Sequence, residues 1–341
     1  MIDLDRLEAL LAALPGLAIG LIGDLFLDRY LEIDSALNEP SLETGLVAYQ
    51  VTRVRNSPGA LGNVMNNLAA LGVGRLLPVS VLGDDGQAFD VLRSLQSLPI
   101  DAAHIVRDAT RLTPTYTKPL VREADGRWRE LNRLDLRSRT PLSEETLARL
   151  LEHLDQVFAA TAGLIVLDQV NEDGLGVVGA AVRARLAELA RRDPGKLIFV
   201  DSRAHIGRFT CGTLKPNAHE CLAWLGRPPT DNLAALVAAV AELSVRTSRP
   251  LYCTLSERGM LVVEPGGQPV HAPGYPVAGP VDIVGAGDSA TAGIVASLLA
   301  GATRVEAAAV GNLVASVTVQ QLGTTGTASP AQVIARWRET A

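Results

Sequence analysis

The chain has 341 residues, 48% hydrophobic and 20% charged, with 31 Lys+Arg against 37 Asp+Glu for a formal net charge of -6. That composition folds as a globular protein, excludes disorder over most of its length, and gives no basic footprint for nucleic acid or an anionic membrane surface. Its three cysteines, Cys211, Cys221 and Cys253, lack metal-ligand spacing and make no disulfide framework, which fits a reducing cytoplasm.

The N-terminal stretch MIDLDRLEALLAALPG is acidic and helical in period, without the basic start of a signal peptide. No stretch stays apolar for the roughly 18 residues of a membrane span, so an intracellular, unanchored protein is expected. Short apolar runs ending in polar residues then alternate with segments of helical period. The runs are LAIGLIGD, RLLPVSVLGDD, GLIVLDQ, KLIFVDSR and PLYCTLSERG; the helical segments lie near 61–71, 87–97, 143–159, 177–191, 231–246, 289–300 and 304–319. This rhythm predicts an α/β fold with a mainly parallel sheet covered by helices. Two stretches, 30–55 and 113–134, show two-residue alternation instead, the second with an Asp125-Gly126 turn, and predict exposed antiparallel strands forming one small sheet, a lid inserted into a single domain over 1–341. Ligands of open α/β sheets bind beyond the carboxyl ends of the strands, which singles out Asp24, Asp84, Asp168, Asp201 and Ser256.

The sharpest motif is Val281-Asp282-Ile283-Val284-Gly285-Ala286-Gly287-Asp288-Ser289-Ala290, a glycine-rich turn feeding an apolar helix. The amides of Gly285, Ala286 and Gly287 can converge there, and the helix N-terminus adds partial positive charge, so the turn makes an anion hole. Asp288 is then placed to accept a proton from a substrate hydroxyl while the hole stabilises a transferred phosphoryl group. Two other readings stay open: an acidic residue that merely complements the helix dipole, and a dinucleotide fingerprint through Gly285, Gly287 and Ala290. The fingerprint lacks a long preceding apolar strand and would set Asp288 beside a pyrophosphate. No G-x-x-x-x-G-K-[ST] loop occurs, which excludes a Walker-type nucleotide site.

In Leu214-Lys215-Pro216-Asn217-Ala218-His219-Glu220, Asn217 and Glu220 share one face of a predicted helix, a pair able to hold hydrated Mg2+ through water with Lys215 near phosphates. A helix start with Asn217 as cap and Glu220 closing a capping box explains the same residues. Thr254-Leu255-Ser256-Glu257-Arg258-Gly259 offers a hydroxyl and a flexible turn at a strand end, or a plain turn. Asn56-Ser57-Pro58-Gly59-Ala60-Leu61-Gly62-Asn63 runs into a helix, where Gly59 permits close backbone approach. With it, Asp24, Asp28 and Asn63 supply short arms suited to vicinal hydroxyls, the alternative being turn and cap chemistry. The five histidines are scattered and receive no role.

In this order along the chain, NSPGALGN, LGDDG, LKPNAHE, TLSERG and DIVGAGDSATAG resemble segments of the ribokinase-like (PfkB) carbohydrate kinase family, and the resemblance covers nearly the whole chain. It implies a ribokinase-like three-layer sandwich with a small β-sheet lid, and ATP-dependent phosphorylation of a sugar or sugar-phosphate hydroxyl. In that scheme Asp288 is the general base, Gly285, Ala286 and Gly287 form the anion hole, and Asp24, Gly59 and Asn63 touch the sugar. Asn217 and Glu220 lie near Mg2+ and the nucleotide phosphates, Thr254, Ser256 and Gly259 line the nucleotide side, and Asn312 sits near adenine. Charge and placement make Lys118 and Arg133, on the predicted lid strands, candidates for meeting an anionic substrate, with solvated lid charges as the alternative. Within the family, Gly23-Asp24-Leu25-Phe26-Leu27-Asp28-Arg29-Tyr30 and Asn132-Arg133-Leu134-Asp135 are similar to the kinase module acting on heptose 7-phosphate in ADP-heptose synthesis. Bifunctional versions add a nucleotidyltransferase domain; here adenylyl transfer is expected to need another chain.

There are departures. Pro58-Gly59 stands where the family has Gly-Gly, Met65 replaces a small residue two places after Asn63, and Leu167-Asp168-Gln169-Val170-Asn171 differs from the Asp-Tyr-x-Lys-Gly type of heptose kinases. They put the acceptor sugar in question, and a monovalent-cation requirement stays open. The alternative from another class is a non-catalytic sugar- or nucleotide-binding regulatory protein of the same fold, against which the retained Asp288 and Gly-Ala-Gly turn argue. A nicotinamide-dependent dehydrogenase is the third. The exposed lid edges predict a homodimer.

Overall fold

The computed structural model describes residues 2–123, 125–323 and 325–340. Helix α1 (Leu4–Ala13) is capped by the Asp3 side chain on the Arg6 amide. Strand β1 (Ala18–Gly23) then passes through one residue, Asp24, into β2 (Leu25–Ile33). A short pair, β3 (Glu39–Pro40) and β4 (Val47–Ala48), precedes β5 (Val51–Ala60), which runs directly into α2 (Leu61–Ala70). Next come β6 (Arg75–Gly83), α3 (Gly86–Leu95), β7 (Ile105–Asp108), β8 (Thr115–Arg122), β9 (Trp128–Glu130) and β10 (Leu134–Leu136). The remaining chain forms α4 (Glu144–Ala160), β11 (Gly163–Asp168), α5 (Ala180–Arg192), β12 (Leu197–Ser202), β13 (Thr213–Leu214), α6 (Ala218–Trp224) and α7 (Leu233–Thr247). It closes with β14 (Leu251–Thr254), β15 (Met260–Val263), β16 (Val270–Ala272), α8 (Ala286–Leu299), α9 (Arg304–Thr318) and α10 (Pro330–Thr340).

The large sheet has nine strands in the order β16-β15-β14-β13-β12-β11-β1-β6-β7. From β7 to β14 every pairing is parallel, and β15 and β16 add an antiparallel edge. Successive side chains of a strand point to opposite faces. Accordingly Ile19 and Leu21 of β1 pack with Leu7, Val64, Val91, Ile294 and Leu313 of α1, α2, α3, α8 and α9, while Ile22 packs with Leu150, Val182 and Leu236 of α4, α5 and α7. This is the expected three-layer α/β arrangement. Helix α8 is buried along Ser289–Ser297, and it lies close to α9 because both present glycine: a Cβ on Gly293 would come 3.0 Å from the Gly311 Cα.

The two alternating stretches do meet in one small sheet, ordered β10-β8-β2-β5 with β9 on β8, and three features correct the expectation. Its strands begin at Leu25 and extend to Ala60, beyond the 30–55 bounds. The VAYQV run is interrupted, with Tyr49 and Gln50 outside any strand. And β2 pairs with β8 in parallel, because both leave the carboxyl ends of parallel strands, β1 and β7, in the same direction. No helix among the described residues is long and apolar enough to cross a membrane.

Candidate active site

The glycine-rich turn behaves as a helix start. Gly285 is the N-cap of α8 at φ 80°, a left-handed conformation that glycine adopts without steric cost, and Asp288 follows in the first turn. Asp288 retains partial contact with solvent, at a position otherwise enclosed by protein. Burial pushes its pKa up to about 7, helped by the negative charges of Asp201 and Asp28, while a hydrogen bond from Asn63 and the Lys215 charge pull the other way. Asn63 Nδ2 donates to Asp288 Oδ2 at 3.1 Å, and Asn63 Oδ1 is buried without a hydrogen bond among the described residues. The expected anion hole needs one correction. The Ala286 amide donates to the Ile283 carbonyl at 3.1 Å and is committed to the turn, whereas the Gly287 amide has no hydrogen bond among the described residues.

On the lid side, Asp28 lies in β2 and is buried, which raises its pKa against the opposing charges of Lys118 and Arg133. Lys118 Nζ sits 3.4 Å from Asp28 Oδ1 and 3.2 Å from the Tyr30 hydroxyl, with its charge over the Tyr30 ring. Gly59 faces this carboxylate: a Cβ there would come 2.6 Å from Asp28 Oδ2. The ring of Pro58, in place of a glycine, packs onto Gly62, whose Cβ would meet it at 2.4 Å. Met65 points into the core, fully buried, so this departure leaves the cleft unfilled. Arg133 forks onto Asp135 at 2.6 and 2.9 Å.

Asp24 is corrected by its surroundings. Rather than presenting its carboxylate to a ligand, it accepts the backbone amides of Gln169 (2.9 Å), Val170 (3.2 Å) and Val177 (2.7 Å) and is buried. Burial raises its pKa to about 6, with the amides opposing.

The nucleotide-side residues divide in two. Asn217 and Glu220 form a full capping box: Asn217 Oδ1 accepts the Glu220 amide at 2.9 Å and Glu220 Oε2 accepts the Asn217 amide at 2.7 Å. The structural alternative is therefore realised, and it leaves Glu220 Oε1 outside the box. Asn217, Thr254 and Ser256 line a cleft of about 750 Å³, with His219, Asp231 and Arg258 around it. Gly259, at φ 89°, has no room for a side chain: a Cβ would meet the Ala272 carbonyl oxygen at 2.2 Å. Asn312 also departs from the expectation, since its amide donates to the carbonyls of Ala272 and Pro273 at 3.1 Å each and braces that segment instead of lining the cleft.

Lys215 links the two halves. Its Nζ is 2.8 Å from Asp201 Oδ2 and would be 3.8 Å from a Cβ on Gly287. Burial works against its charge, but Asp201, Glu220 and Asp288 outweigh it and hold the pKa above the usual lysine value. In the sequence Asp201 stands out only as a strand end. Its partners, Lys215 and the Thr291 hydroxyl at 3.1 Å, make it the acidic neighbour of Asp288, a role visible only once α8 lies over β12.

Residues 27–332 match the family model described as pfkB family carbohydrate kinase. The chain belongs to this family. Among curated relatives, the bifunctional protein HldE of Trichlorobacter lovleyi is 30% identical over 98% of this chain and 65% of its own length. That of Pelobacter propionicus is 32% identical over 92% of this chain and 62% of its own length. This chain thus spans less than two thirds of the length of those relatives. In fold it is similar to phosphofructokinase-2 from Escherichia coli in complex with potassium (TM-score 0.72, 19% identity, 95% of this chain and 99% of that one). Arabidopsis thaliana ribokinase complexed with ribose and ATP aligns with a TM-score of 0.69 at 17% identity over 94% and 98% of the two chains. The large parallel sheet and small lid sheet are the ribokinase-like architecture of the family.

Proposed function

We propose that this pfkB kinase transfers the γ-phosphoryl group of ATP to a hydroxyl of a sugar or sugar phosphate, with heptose 7-phosphate as the leading acceptor. The observation that carries the reading is the Asp288 carboxylate, enclosed at the N-terminus of α8 with its pKa near 7. A carboxylate so poised takes the proton of the acceptor hydroxyl at Oδ1 while Oδ2 stays on Asn63. The Gly287 amide and the α8 dipole stabilise charge on the transferred group. Asn63 Oδ1, buried without a partner among the described residues, is an acceptor awaiting a sugar hydroxyl, and Asp28, Lys118 and Gly59 complete that wall.

The nucleotide occupies the cleft bordered by Asn217, Thr254 and Ser256, with Lys215 toward the phosphates. Glu220 and Asn217 suit Mg2+, which prefers oxygen ligands and keeps several waters; bound there, it would neutralise phosphate charge. The heptose assignment is supported by the bifunctional HldE relatives. A cytoplasmic location, one kinase domain over the chain and a homodimer through the lid belong to the same proposal. Leu46, Val47, Val51 and Val54, exposed on and beside the edge strand β5, support the dimer.

The test is consumption of Mg·ATP against a panel of ribose, fructose, fructose phosphates and heptose 7-phosphate, with Asp288→Asn as control. Turnover on one acceptor that falls about 100-fold or more in the variant is expected. Full turnover in Asp288→Asn refutes the base, and ATP binding without turnover on any acceptor leaves a regulatory binding protein.

A further inference from the structure

One hydroxyl of α8 is bonded unlike the others. Ser289 Oγ donates to the Ala286 carbonyl at 2.9 Å and Ser297 Oγ to the Gly293 carbonyl at 2.6 Å, each within its own helix. Such back-bonding is open to any hydroxyl in a helix interior. Thr291, fully buried about one turn beyond Asp288, instead donates from Oγ1 to Asp201 Oδ2 at 3.1 Å, across the gap between α8 and β12. Valine would fill the same space with no polar atom to satisfy, so packing gives no reason for the hydroxyl.

The oxygen that receives it is also held by a cation. Asp201 Oδ2 lies 2.8 Å from Lys215 Nζ, so hydroxyl and ammonium share one carboxylate oxygen. Alternation along β12 turns Asp201 to the face of Phe199, which packs with the α8 layer. Lys215 comes to it from the end of β13, with its backbone amide on the Val200 carbonyl at 2.8 Å. An ammonium carries three donors, and among the described residues Nζ is paired with Asp201 alone. Gly287 lies in front of it: a Cβ there would stand 3.8 Å from Nζ, and the Gly287 amide is the free donor of the anion hole. The lysine stem is flexible, so the ammonium stays where its carboxylate partner holds it.

We propose that Thr291 is a positioning residue for phosphoryl transfer: its hydroxyl fixes the Asp201 carboxylate, and Asp201 in turn aims the Lys215 ammonium at the anion hole beside Gly287. The inference rests on the kinase reading above and deepens it, since one helix then carries both the base and the group that sets the cation. Thr291 itself touches neither acceptor nor nucleotide. Charge on the transferred group meets the Gly287 amide and a cation already in place, and such preorganised charge needs no rearrangement as the bond breaks. Without the hydroxyl, the Asp201 carboxylate turns about its own bond and the ammonium loses its aim. The acceptor wall at Asp28, Gly59 and Asn63 is untouched, so the loss falls on turnover and not on acceptor binding.

The experiment is a double-mutant cycle on Mg·ATP turnover, with the acceptor that the wild type uses fastest. Thr291→Val is expected to lower kcat about 10-fold, as for one lost hydrogen bond to a charged group, with acceptor KM within about 2-fold of the wild type. Thr291→Ser, which keeps the hydroxyl, is expected to recover most of kcat. Lys215→Met is expected to lower kcat about 100-fold, as for one lost donor at a developing charge. Adding Thr291→Val to Lys215→Met is expected to lower it no further, because the hydroxyl acts through the lysine. Thermal unfolding checks each protein, and Thr291→Ala takes the place of Thr291→Val in the cycle if the valine variant fails to fold. An unchanged kcat in Thr291→Val, no recovery in Thr291→Ser, a loss confined to acceptor KM, or an equal loss in the Lys215→Met background overturns the proposal. With a wild type that turns over and an Asp288→Asn variant that does not, each of those results leaves the kinase reading standing, whereas a wild type active on no acceptor overturns both.

Discussion

Asn63 Nδ2 donates to Asp288 Oδ2 across 3.1 Å, tying the first turn of α2 to the first turn of α8. The bond joins the glycine-rich segment of the N-terminal half to that of the C-terminal half, and it stabilises the ionised form of the carboxylate. Two helix N-termini thereby point their dipoles at one place.

That bond predicts a shift in the pH profile. A base must be ionised, so activity rises with pH through the Asp288 pKa of about 7. Asn63→Ala removes a contact that lowers this pKa, so the acidic limb of kcat is expected to move to higher pH. Initial rates from pH 5.5 to 9 in the two proteins decide it, and an unmoved limb assigns the titration to another group.

Asp288 also has a cost to folding. Its folded pKa of about 7 lies above the ordinary 3.8, so its contribution to stability is complete below pH 4 and is lost as pH rises through 7. Asp288→Asn is uncharged throughout. At pH 8 the variant is expected to be the more stable by about 1–3 kcal/mol, with the gap closing toward pH 4, as read by urea unfolding at several pH values.

Gly59→Ala tests the wall facing the lid. The new Cβ would come 2.6 Å from Asp28 Oδ2, so the carboxylate must swing away from Lys118. A loss of about 1–3 kcal/mol in stability is expected, together with a raised KM for the acceptor and an unchanged KM for ATP. Equal effects on both substrates would place the damage in the whole fold.

Ala60 holds φ 52° and ψ -114°, a conformation suited to glycine, at the joint between β5 and α2. Ala60→Gly relieves strain of about 1–3 kcal/mol and gives back about 0.5–1 kcal/mol in unfolded-chain entropy, so a net gain of roughly 1 kcal/mol is expected. Chemical denaturation measures it, and a loss of stability would show that the alanine methyl contributes packing worth more than the strain.

The alternation of apolar runs and helical periods, and the acid placed after Gly285-Ala286-Gly287, were legible because they depend on neighbours within a turn or a strand. What escaped depends on distant partners. Asp24 reads as a polar strand end, and only the fold brings the amides of Gln169, Val170 and Val177 to it. Asn312 likewise meets Ala272 and Pro273 by packing alone. Met260–Val263 is four buried residues without alternation, so its antiparallel place between β14 and β16 left no periodic trace. Thr291 reads as one residue of an apolar helix and acquires its partner Asp201 only when α8 lies over β12.

The single residue between β1 and β2 is the link from the large sheet to the small one. Along this route a rotation of the small sheet against the large one has no slack to absorb it, and its torque falls on the Asp24 backbone. The Asp24 carboxylate grips the strap running from Gln169 to Val177, and the same strap receives the Arg111 guanidinium on the Leu175 carbonyl, at 2.8 Å. The joint between the two sheets is thus pinned to a third piece of chain: three backbone amides of the 169–177 strap converge on the carboxylate of the residue that connects β1 to β2.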